Sequence, residues 1–179
     1  SHDGGTREYR LQGGTSWARP TAPLTARRAY AAAHVIPEVL ADNTPGAPAR
    51  LDWEATMAYR HELWSYGLGV ADAMDTAQRG MGLDWAATQQ LIKRTGVEAA
   101  SVVATGNAAT AGKTVRDLVS CGAGTDQLDI DSLPAGEAGL KAVLEAYREQ
   151  IAVITEAGPK VILMASRALA KVANGPDDY

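Results

Sequence analysis

Cysteine is nearly absent from this chain, which has one cysteine and no phenylalanine among its 179 residues. A single cysteine excludes an internal disulfide and a metal site built from several thiolates, and it suits a reducing compartment such as the cytoplasm. Cys121 has no candidate base beside it in the sequence. We therefore interpret it as a small buried residue at the end of a strand rather than as an activated nucleophile.

Long apolar runs and concentrated positive charge are also absent. No stretch approaches the roughly 20 apolar residues that a transmembrane helix needs. The formal net charge is −4, and acidic and basic residues are interspersed without a basic stripe. These absences argue against a membrane-spanning protein and against nucleic acid as the main partner.

The chain does contain enough apolar residues, 46%, for one domain with a substantial core, and it contains a short repeat. The pattern Leu-Asp-Trp-x-Ala-Thr occurs at Leu51–Thr56 and at Leu83–Thr88, an interval of 32 residues. Asp52 and Asp84 thus occupy positions typical of a helix N-cap, where a side-chain oxygen accepts from free amides of the first turn. A repeat at this interval indicates one element used more than once, here a strand followed by a helix.

Alternating strands and helices follow a lead-in, residues 1–27, that is rich in glycine, threonine, arginine and proline. Apolar runs predict four strands, and capping and periodicity signals predict a helix after each one. The predicted strands are Arg28–Ile36, Leu68–Met74, Val115–Cys121 and Lys160–Met164. The predicted helices run from Asp52 to Tyr66, from Asp84 to Ala104, over Glu137–Ala157 and from Ser166 onwards.

This order predicts an α/β domain over residues 28–179, because strands joined by right-handed helical crossovers form a parallel sheet. A doubly wound sheet and a (β/α) TIM-type barrel both fit, and the lack of an early glycine-rich phosphate turn favours the barrel. A closed barrel needs eight such units and about 250 residues. We therefore expect strands 1–4 only, a half or truncated barrel whose partner is the remainder of the barrel or a second copy in a homo-oligomer.

One glycine-rich segment, Gly106–Thr114, is similar to a phosphate-binding P-loop. The P-loop pattern places four residues between its glycines, whereas five residues separate Gly106 from Gly112. A clear strand before the segment and a helix after it are not predicted. We interpret it as a polar connecting loop.

Polar side chains follow the predicted strands, at the end where barrel enzymes carry their active sites. His34 is near the end of the first predicted strand and Asn43 follows it. Asp75 follows the second strand, Asp126 the third and Arg167 the fourth. Carboxylate, amide and guanidinium groups around one mouth predict a site for a small oxygenated substrate. Asp75 and Asp126 would alternatively suit Mg²⁺ or another hard divalent cation. Simple helix capping, and a packed structural role for His34, are the other interpretations.

Four segments resemble a bacterial group within the dihydrodipicolinate synthase family, and the similarity extends from about Tyr30 to the last residue. The segments are Ala41–Pro45, Leu63–Met81, Cys121–Gln127 and Val161–Ala168. Members of this kind have a complete (β/α)8 barrel, of which the chain resembles the N-terminal half.

The resemblance implies class I lyase or aldolase chemistry on pyruvate-like keto acids. In that chemistry a lysine on the sixth strand forms an imine with the substrate, so no cofactor is implied. The imine lysine would lie outside this chain. Lys160 is predicted at the amino end of the fourth strand and Lys171 in the last helix, so neither is a substitute.

The resemblance also implies site residues, through a Gly-Thr-Thr-Gly-Glu signature after the second strand. Thr76 matches the first threonine, which makes it the candidate catalytic residue that positions the substrate. Asp75 and Ala77 replace the flanking glycine and the second threonine, and Arg167 and Ala168 stand where the family has paired tyrosines.

Three hypotheses follow. The leading one is an aldolase-like carbon–carbon lyase acting on a small keto acid or other oxygenated substrate, with Thr76, His34, Asn43, Asp75, Asp126 and Arg167 at its mouth. The second is a metal-assisted lyase or isomerase that uses Asp75 and Asp126. The third is a non-catalytic half-barrel that dimerises through its open sheet edges, which are liabilities when unpaired.

Overall fold

The fold is that of a computed structural model, which describes residues 4–6, 8–16, 18, 21–22, 27–44, 49–74, 79 and 82–179. The described residues of the lead-in form neither helix nor strand, and they are exposed. Across the described ranges, no helix is both long enough and apolar enough to cross a membrane.

Four parallel strands form one sheet in the order β1-β2-β3-β4. The strands are Tyr30–Ala32 (β1), Gly69–Asp72 (β2), Val119–Ala123 (β3) and Lys160–Leu163 (β4). Every neighbouring pair is parallel, and every strand pairs with the next one in the chain. The predicted α/β class with a parallel sheet is thereby confirmed.

Helices connect the strands. They are Trp53–Ser65 (α1), Trp85–Thr105 (α2), Val115–Leu118 (α3), Glu137–Ala157 (α4) and Arg167–Val172 (α5), followed by a short 3-10 helix at Pro176–Asp178. The continuation of the second helix through Ala104 and the bounds of α4 are as predicted.

The Asp-Trp repeat marks two helix starts. Asp52 accepts from the amide of Ala55 at 2.9 Å, and Asp84 accepts from that of Ala87 at 2.7 Å.

The third strand was predicted four residues too early. Residues Val115–Leu118 form α3, and β3 begins only at Val119. The Asp117 carboxylate accepts from the backbone amide of Thr114 at 3.0 Å and from its hydroxyl at 2.9 Å. These two bonds fix a helical turn in a segment whose apolar residues favour a strand. Cys121 consequently lies within β3 and not at its end.

The first strand is shorter than predicted, because the chain leaves the sheet to contact the start of α1. Ile36 accepts at its carbonyl from the amide of Asp52 at 2.8 Å. Its own amide donates to the hydroxyl of Thr56 at 3.0 Å. These bonds replace the ladder that would have continued through Ile36, and they place His34 two residues beyond the strand end.

The helices cover one face of the sheet. Val70, Val119 and Cys121 are fully buried on the face that packs against α1, α2 and α4. Burial raises the pKa of the Cys121 thiol well above its usual value, which suits a structural residue. On the opposite face, where side chains alternate with these, Ala71 and Ile162 are only half-buried, and the described part of the chain supplies no helical layer there.

This one-sided arrangement bears on the choice between the two α/β architectures. A doubly wound sheet carries helices on both faces and reverses its strand order at a switch point. Here the order advances from β1 to β4 without reversal, and the helices pack on one face. Both features match the wall of a (β/α) barrel, whose second face is the barrel interior.

A buried ion pair fixes α1 to the carboxyl end of β2. Arg60 donates through two nitrogens to the Asp72 carboxylate, and both side chains are 0% exposed. Arg60 also donates to the carbonyls of Thr56 at 2.8 Å and His34 at 3.2 Å. The Asp72 carboxylate accepts in addition from the amide of Ala73 at 2.9 Å. The pair therefore holds the ends of β1 and β2 in place.

Helices α2 and α4 approach closely at Gly96, where a Cβ would lie 2.4 Å from the carbonyl oxygen of Ala157. We expect Gly96→Ala to lower the free energy of unfolding by about 1–2 kcal/mol, because overpacking outweighs alanine's higher helix propensity. Urea unfolding followed by circular dichroism measures this. The control is Val97→Ala in the same turn, where the side chain is 70% exposed and the expected change is within about 0.5 kcal/mol. A more stable Gly96→Ala protein would contradict the contact.

Candidate functional site

A cavity of about 200 Å³ opens at the carboxyl edge of the sheet, beyond the ends of β3 and β4. We call it the mouth cavity. Its lining includes Arg79, Thr125, Asp126, Ser166 and Arg167. The carboxyl ends of parallel strands meet at one edge, which is why residues distant in sequence converge there.

Arg79 is the fixed centre of this cavity's floor, with a side chain that is 1% exposed. Its Nε donates to Asp126 at 3.2 Å, and one terminal nitrogen donates to Asp126 and to Gln150. The other terminal nitrogen donates to the carbonyls of Ala73 at 3.0 Å and Gly122 at 2.7 Å. All five N–H donors of the guanidinium are thereby engaged. Arg79 thus positions other groups and has no donor left for a substrate.

Asp126 presents its carboxylate to the cavity, and its side chain is 22% exposed. Burial by itself raises the pKa of this carboxyl. The hydrogen bonds from Arg79 and Gln150 and the positive charge of Arg79 outweigh that effect, so the pKa lies below its usual value. Asp126 is therefore ionised near neutral pH, and it can accept a hydrogen bond from a ligand hydroxyl or orient a water.

Gln150 connects the helix layer to the mouth cavity from the middle of α4, and it is fully buried. Its carbonyl oxygen accepts from Arg79 and from the amide of Gly124, each at 2.6 Å. Its amide nitrogen donates to Asp126 at 2.9 Å and to Gln127 at 2.6 Å. Both ends of the side chain are saturated, so the loop after β3 has one arrangement.

A group of hydroxyls lies beside the carboxylate. The hydroxyls of Thr125 and Ser166 are 2.6 Å apart, and that of Ser166 also accepts from the amide of Leu169 at the start of α5. Tyr147 does not line the cavity. It donates to the carbonyl of Met164 at 2.6 Å, and burial raises the pKa of its phenol. The hydroxyls of Thr125 and Ser166 do line the cavity, and as neutral donors and acceptors they are suited to binding the oxygens of a small ligand.

Backbone strain occurs at the same edge. Ala73, the residue after β2, has a φ of 50°, and it is the one non-glycine residue with positive φ in the described ranges. That conformation costs an alanine free energy, so the surroundings must hold it. Its carbonyl accepts from Arg79, and its amide donates to Asp72. The strain supports a site at this edge, because such residues cluster at ligand sites.

The predicted site residues divide into three groups. Asp126 and Arg167 line the mouth cavity together. His34 is exposed and does not line it, and Asn43 uses its side chain within its own loop, donating to the carbonyl of Glu38 and accepting from the amide of Arg50. Asp75 and Thr76 lie outside the described residues, so their predicted roles stay predictions.

Arg167 differs from Arg79 in having no partner. Its side chain is exposed, and no hydrogen bond or ion pair with another described residue engages its guanidinium. It is therefore the cation at the mouth cavity that can bind an anion.

Neither Gln150 nor Arg79 was predicted as a site residue from the sequence. Gln150 lies on the buried face of α4, and its polarity was the available signal, because a buried glutamine needs hydrogen-bond partners.

Among the described residues, no three histidine, cysteine, aspartate or glutamate side chains form a cluster that could hold a metal ion. Asp75 lies outside those residues, so the predicted metal site that it would form with Asp126 stays a prediction. The Asp126 carboxylate is engaged by Arg79 and Gln150, and a metal ion would have to displace or compete with those donors.

A search of curated proteins finds no match to this chain. A family model described as "Protein of unknown function (DUF993)" matches residues 1–179, the whole chain. The chain belongs to the DUF993 family.

Proposed function

We propose that the mouth cavity is the substrate site of an aldolase-like carbon–carbon lyase that acts on a small 2-keto acid. The observation that carries the proposal is the pairing of two groups across one small cavity: an unpartnered Arg167 guanidinium and an ionised Asp126 carboxylate held in place by Arg79. In this proposal Arg167 binds the substrate carboxylate, and Asp126 accepts from a hydroxyl or from water.

Charge and size support this class of substrate. Arg79 and Arg167 outnumber Asp126 in the cavity lining, so the site favours an anion. The cavity measures about 200 Å³, smaller than the roughly 300–1,000 Å³ of sites for drug-sized ligands. A three- to six-carbon acid is the expected size, and the hydroxyls of Thr125 and Ser166 are suited to its keto oxygen.

An imine mechanism requires a lysine that the described sheet does not supply at the mouth. Lys160 is at the amino end of β4, with its Nζ 3.9 Å from Asp117. Lys171 does not line the mouth cavity, and its ammonium donates to the backbone carbonyl of Ile130. The proposal therefore assigns the imine lysine, as the dihydrodipicolinate synthase resemblance does, to a part of the barrel outside this chain.

Borohydride trapping with pyruvate on protein that carries the remaining strands tests the imine. Absence of any adduct would exclude class I chemistry and leave keto acid binding to be tested separately.

Calorimetric titration with pyruvate, 2-oxobutyrate and 2-oxoglutarate tests substrate binding by the 179-residue chain. We expect Arg167→Gln to weaken binding of the preferred acid by about tenfold or more, because a charge-assisted hydrogen bond contributes about 1.5–3 kcal/mol. The matched control is Arg148→Gln, an exposed arginine on α4 that does not line the mouth cavity, which should bind like the original protein. Equal binding by both variants, or no binding of any keto acid, contradicts the proposal.

A second proposal concerns the sheet face that lacks a helical layer. Parallel sheets are buried on both faces in nearly all folds. Ala71 and Ile162 are half-buried on that face. These features support a half-barrel that dimerises when no further strands are present. Sedimentation equilibrium of the 179-residue chain should show a dimer, and a folded monomer contradicts dimerisation.

The single buried thiol supports a reducing compartment such as the cytoplasm.

A further inference from the structure

A second cavity, of about 390 Å³, lies at the opposite edge of the sheet, near the amino ends of β1 and β2. We call it the amino-edge cavity. Its charged lining residues are Arg27, Arg28, Lys113 and Asp117. None of these lines the mouth cavity, so the two sites are separated by the length of the sheet.

The cations of the amino-edge cavity retain free donors. Lys113 uses one of its three donors on the carbonyl of Gly67 at 2.8 Å. Arg28 contributes one nitrogen to Asp117, and its side chain is 68% exposed. Arg27 is exposed, and no described residue forms a hydrogen bond or ion pair with it. Two guanidinium groups and one ammonium group thus surround the amino-edge cavity.

Asp117 cancels only part of this positive charge. Hydrogen bonds from the amide and the hydroxyl of Thr114 lower the pKa of its carboxyl, as do the charges of Arg28 and Lys160. It is ionised, and its oxygens are already occupied by Thr114 and Arg28. The lining therefore holds three cations and one carboxylate, a net positive site in a chain whose formal charge is −4.

The rest of the wall is backbone and small side chains from the loop between α2 and α3, the segment whose glycines are similar to a P-loop. It does not have the P-loop position, because a helix precedes it and a four-residue helix follows. Asn107 holds the loop in one conformation by accepting from the amides of Ala109 at 2.9 Å and Thr110 at 3.0 Å. Small residues such as Ala108 and Gly112 leave the cavity open beside the cations.

We propose that the amino-edge cavity binds the phosphate group of a small phosphorylated molecule, at a site separate from the lyase site. Arg27 and Arg28 bind the phosphate oxygens through forked donors, and Lys113 adds a point charge from the loop. The cavity is roughly twice the volume of the mouth cavity, so it has room for the remainder of a phosphorylated metabolite. A ligand bound there would contact the segment before β1, the start of β2 and the loop before α3, and it would leave the mouth cavity free.

Calorimetric titration of the 179-residue chain with inorganic phosphate and with pyrophosphate tests this site. We expect saturable binding, tighter for pyrophosphate, that weakens as salt is raised. Arg27→Gln should weaken binding about tenfold, because it removes a charge-assisted contact without breaking a bond seen in the structure. Arg148→Gln is the matched control and should leave the affinity unchanged, and Arg27→Glu should abolish binding.

Two results would overturn the proposal: no saturable binding of either anion, or equal binding by Arg27→Gln and Arg148→Gln. A single-stranded oligonucleotide that binds more tightly than pyrophosphate would also overturn it, since that result indicates a nucleic-acid surface. A negative result for phosphate binding would not count against the proposed keto acid site, because Arg27 and Lys113 do not line the mouth cavity.

Discussion

Replacing Asp72 with alanine is expected to lower the free energy of unfolding by about 3–5 kcal/mol, the cost of leaving one partner of a buried ion pair alone. The variant would leave the Arg60 guanidinium uncompensated in a site where both side chains are 0% exposed. The carbonyls of Thr56 and His34 would still accept from Arg60, but they carry no full negative charge.

Urea unfolding of Asp72→Ala measures this effect against two comparisons. Glu145→Ala removes a partner of the exposed pair with Arg148, and it should cost no more than about 1 kcal/mol. The double variant Arg60→Met with Asp72→Leu removes both charges together. It should recover much of the lost stability, because well-packed apolar residues can replace a buried pair at little cost. An Asp72→Ala protein no less stable than Glu145→Ala would contradict the burial of the pair.

Replacing Arg79 with methionine is the second large expected effect. Methionine fills similar space but leaves the Asp126 carboxylate, the Gln150 carbonyl and two backbone carbonyls without their donor. We expect a loss of about 3–5 kcal/mol in the free energy of unfolding, combining a broken ion pair with unsatisfied acceptors. We also expect keto acid binding to weaken at least about tenfold, since Asp126 loses its fixed position.

The pH dependence of stability tests whether Arg79 acts through its charge or only by filling space. The folded-state pKa of Asp126 is lowered, so its stabilising effect is present above its unfolded-state value, near 3.8, and is lost as the pH falls through the folded-state pKa. Arg79→Met should remove this contribution, so the variant should lose less stability between about pH 5 and pH 3 than the original protein does. Arg116→Met is the control, an exposed arginine whose one bond is 3.4 Å to a carbonyl, and its acid response should be unchanged. Identical acid profiles for Arg79→Met and the original protein would contradict the role of Arg79.

Most of the elements could be predicted because their signals are local. Asp52 and Asp84 cap helices through bonds to residues three positions away, so the repeat contains the whole interaction. The helix Glu137–Ala157 was predicted with its exact bounds, because its apolar spacing is regular and Gly158 follows at a positive φ of 96°.

The prediction for β3 was wrong because two local signals competed. Val115 and Leu118 favour a strand by composition, whereas Thr114 and Asp117 form a capping pair over the same residues. The pair Thr-x-x-Asp was a readable signal, and it prevails because it satisfies the amides of the turn. The predicted strand therefore began four residues early, at Val115, and ended two residues early, at Cys121.

The candidate site could be predicted only in outline. Strand ends and polar loops indicated Asp126 and Arg167, which do share a cavity. The contacts that fix them join residues far apart in the chain, such as Arg79 with Asp126 and with Gln150, separated by 47 and 71 positions. No short-range pattern encodes such pairs, because they depend on how the crossovers bring β2, β3 and α4 together.

The most direct test of the mouth site is to map the amide resonances of the labelled 179-residue chain as pyruvate is added. A keto acid in the mouth cavity should shift most strongly the amides of Gly124, Thr125, Asp126, Ser166 and Arg167, which line it. The same amides should shift clearly less in Arg167→Gln at the same concentration, because its binding is expected to be about tenfold weaker or more. Pyruvate that shifts none of these residues, or shifts those around Lys113 instead, would contradict a substrate site at the carboxyl edge of the sheet.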